Sequence, residues 1–107
     1  MRPPDAPAGE GSARVVIRLA GTVQGVGFRY FARREAMRLD VTGWVANLPD
    51  GSVEAVGEGD RRSLERFVER LSVGPPGGHV TDVELRWESA IGEFVGFGIR
   101  SGWHPGD

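Results

Sequence analysis

The chain reads as an α+β domain of the ferredoxin-like, split βαβ class, with two helices packed on one face of an antiparallel sheet. Three observations predict it. Apolar residues alternate in several short stretches, as in half-buried strands, and recur at helical spacing in two others. The stretches follow in the order strand, helix, strand, strand, helix, strand, with an extra short strand at the end. Each helical stretch has one apolar stripe and most strands have one apolar face, a requirement that two layers satisfy.

The 107 residues make one domain. There is no cysteine, so disulfides and thiolate chemistry are excluded and stability rests on a single hydrophobic core. Residues 1–13, with Pro3, Pro4, Pro7, Gly9 and Gly11, are expected to form a flexible tail before a domain spanning 14–100. Residues 101–107, with Gly102, Pro105 and Gly106, are expected to form a second tail. No hydrophobic segment follows Arg2 and no run is long enough to span a membrane, so the expected compartment is the cytoplasm. The net charge of −2 argues against broad nucleic-acid binding, and the thirteen cationic residues are all arginines.

Taken in order, Arg14 to Ala20 places Val15, Ile17 and Leu19 on one face of a first strand. Phe28, Phe31, Ala32, Ala36 and Leu39 form the apolar stripe of the first helix, with Arg33, Arg34 and Arg38 towards solvent. Val41 to Leu48 suits a pleated strand and ends at Pro49-Asp50-Gly51, a turn sequence that returns the chain as Ser52 to Glu58. Asp60 is a helix N-cap, and Leu64, Phe67, Val68 and Leu71 give the second helix its stripe. Gly74-Pro75-Pro76-Gly77-Gly78 ends that helix. Thr81, Val83, Leu85 and Trp87 then alternate with charged residues in a fourth strand, and Val95, Phe97 and Ile99 in a fifth.

The most informative stretch is Gly21-Thr22-Val23-Gln24-Gly25-Val26-Gly27-Phe28-Arg29, between the first strand and the first helix. Its glycines allow a tight turn with converging N–H groups, and the turn ends at a helix N-terminus, where an anion is favoured. Arg29 follows in the first helical turn and can add a forked guanidinium. Such turns also serve tight packing alone. A Walker A loop is excluded because the chain has no lysine, and a dinucleotide fingerprint because Phe28-Arg29-Tyr30 supplies no third glycine. Asn47 closes the second strand. It reads either as a turn-flanking residue or, since the topology can bring that strand end beside the glycine loop, as an amide able to hold a water.

Two segments carry a resemblance. Gly21 to Arg29 resembles the first signature of the acylphosphatase family, and Gly43-Trp44-Val45-Ala46-Asn47-Leu48-Pro49-Asp50-Gly51-Ser52-Val53 resembles the second. The match runs from about Arg14 to Arg100. It implies hydrolysis of a small-molecule acyl phosphate to a carboxylate and inorganic phosphate, with no metal or cofactor. It implies that Arg29 binds the phosphate together with amides of Gln24, Gly25, Val26, Gly27 and Phe28, and that Asn47 orients the attacking water. Ala46 stands where a basic residue is more usual and Asp40 where glycine is common; neither removes a site group. A monomer is the expected state. The alternative is a non-catalytic phosphate- or anion-binding module of the same fold, or a domain related to hydrogenase-maturation proteins.

Other features are weaker. His79 and His104 lack metal-ligand spacing. Trp44 and Trp87 fit core or sheet-surface roles. Glu93 to Ile99 resembles an RNA-recognition strand only superficially, with no leading basic residue and in an acidic chain.

Overall fold

The computed structural model describes residues 11–101. Its elements are β1 (Ser12–Thr22), α1 (Phe28–Arg38), β2 (Thr42–Asn47), β3 (Val53–Asp60), α2 (Arg61–Val73), β4 (His79–Glu88) and β5 (Phe97–Arg100). The sheet order is β4-β1-β3-β2-β5. Four strands pair antiparallel, but β5 runs parallel to β2, so the sheet is mixed rather than wholly antiparallel. The reason is the connection. β4 ends on one edge, and residues 89–96 carry the chain to the opposite edge. The buried carboxylate of Glu58 helps to anchor that crossing, accepting from the amides of Ile91 at 2.8 Å and Gly92 at 2.9 Å and from Arg14 at 3.2 Å. Burial pushes the Glu58 carboxyl up, but these donors together outweigh it and hold it below its usual value.

The helical stripes and strand faces meet in one core. Phe28, Phe31, Ala32 and Ala36 of α1 and Leu64, Phe67 and Leu71 of α2 bury against Val15, Ile17, Leu19, Val45, Val53 and Ala55. Asp60 caps α2 as the sequence predicts, its carboxylate accepting from the amides of Arg62 and Ser63. Among the described residues, no helix is long and apolar enough to cross a membrane.

Several expectations need correction. β1 begins at Ser12 rather than at Arg14: Ser12 pairs with Asp60, Ala13 with Gly59, and the carbonyl of Gly11 accepts from Arg61 N at 2.6 Å. Ala13 extends the buried face of Val15, Ile17 and Leu19 by one position, a small side chain whose place in the alternation the adjoining Pro/Gly-rich composition hid. The rest of the expected N-terminal tail, residues 1–10, lies outside the described residues, as do residues 102–107 and therefore His104. Val83 and Leu85 share the helix-facing side with Leu19 and Ile17 but are 37% and 45% exposed, because β4 is an edge strand and α2 packs mainly over β1 and β3. Val95 lies outside β5 and is almost fully exposed; Gly96, at φ 73°, turns the chain just before the strand begins.

The departure at Asp40 has a structural meaning. After α1, Val41 N donates to Ala36 O at 2.8 Å and Asp40 N to Met37 O at 3.4 Å, the paired bonds of a Schellman cap. The residue between cap and strand must then take a left-handed conformation, and Asp40 does so at φ 58°. Asp40→Gly should stabilise the protein by about 0.5–1 kcal/mol by relieving that strain, offset in part by the freer unfolded chain. Urea unfolding at constant m checks this; an unchanged or lower midpoint would contradict it.

Candidate active site

β3 is antiparallel to both β1 and β2, so β1 and β2 run in the same direction, and β5 is parallel to β2. The C-terminal ends of three strands therefore converge on one end of the sheet. There the loop after β1 enters α1, Asn47 closes β2, and Arg100 closes β5. A cleft of about 140 Å³ opens at this point, lined by Val23, Gly25, Gly27, Phe28, Arg29, Tyr30 and Asn47.

The loop reaches the cleft through two left-handed glycines, Gly25 at φ 79° and Gly27 at φ 77°. A Cβ on either would meet nothing within 4 Å, so the backbone conformation rather than crowding demands glycine. Gly27 is the N-cap of α1 and has no side-chain cap; its carbonyl accepts from Phe31 N at 3.0 Å. Among the described residues, no carbonyl in the turns and loops accepts from the amides of residues 24–27. The first turn of α1 contains no acidic residue, so its positive end is not offset locally. The result is a concave group of donors beside a guanidinium.

Arg29 is half-buried, and its Nη1 donates to the carbonyl of Arg100 at 2.9 Å. One turn later Arg33 Nε donates to the carbonyl of Phe97 at 3.2 Å. The two arginines clip β5 to α1, and the first clip also fixes the direction of the Arg29 fork. Asn47 stands at the last position of β2, paired with Val53, immediately before the turn. That turn is closed by Gly51 N to Leu48 O at 3.1 Å and Leu48 N to Ser52 O at 2.8 Å. The carboxylate of Asp50 accepts from Ser52 N at 2.9 Å and pairs with Arg18. The Ser52 hydroxyl and amide, then Arg18, pull the Asp50 carboxyl down to about 2, so these bonds persist at neutral pH.

Of the sequence-predicted site residues, Gly25, Gly27, Phe28, Arg29 and Asn47 are brought together around the cleft. Gln24 and Val26 belong to the loop but do not line it. Val26 packs against the core, and Gln24 Nε2 donates to the carbonyls of Leu48 and Ser52. The ring of Phe28 is core, edge-on to Phe31 with centroids 5.9 Å apart, leaving its backbone at the cleft. Sequence reasoning missed Tyr30, which lines the cleft and is 70% exposed. Its signal was available, since Tyr30 falls off the apolar stripe beside Arg29. His79 is exposed at the start of β4, where it pairs with Thr22, and does not line the cleft.

Comparison with known proteins gives a consistent result. The acylphosphatase family profile matches residues 15–99. The acylphosphatase of Salinibacter ruber is 49% identical over 87 residues, covering 81% of this chain and 92% of that protein. The crystal structure of acylphosphatase from Bacillus subtilis superposes with a TM-score of 0.80 at 39% identity, covering 82% of this chain and 98% of that one. The crystal structure of T. kodakarensis HypF matches with a TM-score of 0.73 at 33% identity, over 83% of this chain but only 12% of that one.

Proposed function

Because this chain belongs to the acylphosphatase family and hydrolyses acyl phosphates, we propose that Arg29, the 24–28 loop amides and Asn47 divide the work between them. The Arg29 fork and the amides of Gln24, Gly25, Val26, Gly27 and Phe28 hold the phosphoryl oxygens. The Asn47 amide holds a water in line with phosphorus, opposite the acyl oxygen. The water oxygen forms the new P–O bond as the bond to the acyl oxygen breaks. The leaving group departs as a carboxylate and the water's proton passes to a phosphoryl oxygen, giving inorganic phosphate.

The observation that carries this reading is the convergence of loop, Arg29 and Asn47 on one cleft. Phosphoryl transfer needs positioning and stabilisation of the charge on the equatorial oxygens, which oriented amides and a guanidinium provide without reorganising. A carboxylate, whose conjugate acid has a pKa of about 4, leaves without a protein acid. The relatives are acylphosphatases, which decides against a module that only binds anions.

The test is hydrolysis of benzoyl phosphate in excess EDTA across about pH 5 to 8, a range without an essential side-chain titration in this reading. The expected result is sustained turnover with no steep inflection in kcat. Loss of activity with the chelator, restored by added metal, would overturn the metal-free scheme. A neutral inflection belonging to a protein group would overturn proton transfer to the substrate.

A further inference from the structure

Gln24 lies within the anion loop, yet its side chain does not line the cleft. Its Nε2 donates to the carbonyl of Leu48 at 2.8 Å and to that of Ser52 at 2.9 Å, residues on the two arms of the β2–β3 hairpin. A primary amide has two N–H groups in a fixed planar fork, so this pair of bonds uses both and sets orientation as well as distance. With its donors so engaged, the Gln24 side chain is not a phosphate ligand.

Nor are the two bonds needed to make the turn. The turn already closes through its own backbone bonds at 3.1 and 2.8 Å and is braced by Asp50, Ser52 and Arg18. Both carbonyls that Gln24 meets already accept from the backbone. What the Gln24 bonds add is registry, since they tie a loop that follows β1 to a hairpin whose last β2 residue is Asn47. We propose that Gln24 is a positioning residue: it sets the Asn47 amide relative to the phosphate held by the loop, and so the alignment of the attacking water. This rests on the role assigned to Asn47 above. Displacing a reacting group by about 1 Å costs on the order of 100-fold in rate, so a link of this kind acts on turnover.

The experiment is a double-mutant cycle. Gln24→Leu and Gln24→Glu are each made in the wild-type and Asn47→Ala backgrounds. The measured quantities are kcat, KM for benzoyl phosphate, and competitive inhibition by inorganic phosphate. In the wild-type background kcat should fall about 10- to 100-fold, while Ki for phosphate stays within about twofold because the cradle amides and Arg29 are intact. In the Asn47→Ala background the same substitutions should have almost no further effect, since coupled groups fail to add. Gln24→Glu supplies a second readout in the same fold. Its carboxylate faces two carbonyls, and protonation restores a donor, so its kcat relative to wild type should rise as pH falls from about 7 to 5.

An equal fold-loss in both backgrounds overturns the proposal, as does a Ki that rises in step with KM, an unchanged kcat, or a flat pH ratio for Gln24→Glu. Full turnover by Asn47→Ala alone overturns the Asn47 assignment itself and with it the positioning role. That single variant therefore tells the two failures apart.

Discussion

Arg29→Ala is expected to lower kcat/KM for an acyl phosphate by about 1,000-fold or more, the range seen when a guanidinium is removed from a phosphoryl-transfer site. That loss corresponds to roughly 4 kcal/mol of transition-state stabilisation. Binding of inorganic phosphate should weaken together with the rate, because in the proposed scheme the fork contacts the phosphate oxygens before and during reaction. Arg29→Lys should recover less than about tenfold of the loss, since an ammonium is a point charge and cannot make a planar two-pronged contact. The lysine would also lack the geometry by which Arg29 now reaches the carbonyl of Arg100 at 2.9 Å. Steady-state kinetics with phosphate inhibition measure all three effects. Near-wild-type kcat/KM in Arg29→Ala would remove Arg29 from the site.

Asn47→Ala should separate the two halves of the site. Turnover is expected to fall about 100- to 1,000-fold, the cost of losing one positioned polar group in a closed site. Phosphate inhibition should change by no more than about twofold, because the loop and Arg29 remain. Asn47 sits at the end of β2, half-buried, so its truncation opens no core cavity and the fold should hold. Retained turnover, or a parallel loss of phosphate affinity, would contradict a role confined to the water.

The parts of this molecule legible in the sequence are those with local causes. Glycine at left-handed positions, a polar residue at an N-cap, an apolar stripe and a Pro-Asp-Gly turn each act within a few residues, and the element order followed from them. Arg29 and Asn47 were legible as candidates because the topology sends the ends of β1 and β2 to one end of the sheet. The side-chain role of Gln24 was not, because its partners lie 24 and 28 residues away and nothing in the loop announces them. The buried Glu58 was equally silent, its burial depending on amides 33 and 34 residues later. At the margins pattern misled where tertiary context decided. Val83 and Leu85 alternate correctly but lie on an edge that α2 only partly covers, and Val95 continues an alternation that Gly96 interrupts. Asp40 was noted as unusual, and only its φ of 58° shows why glycine would fit there.

The bond from Arg29 to the carbonyl of Arg100 joins residues 71 apart in the chain. During synthesis the glycine loop, α1 and the hairpin emerge early, and they contain every side chain that lines the cleft. The guanidinium is held in its final direction only after the last strand has crossed the sheet and docked beside β2. On the proposed reading, a nascent chain would carry its phosphate cradle well before it has a fully aimed arginine, and catalytic competence would wait for β5 to dock.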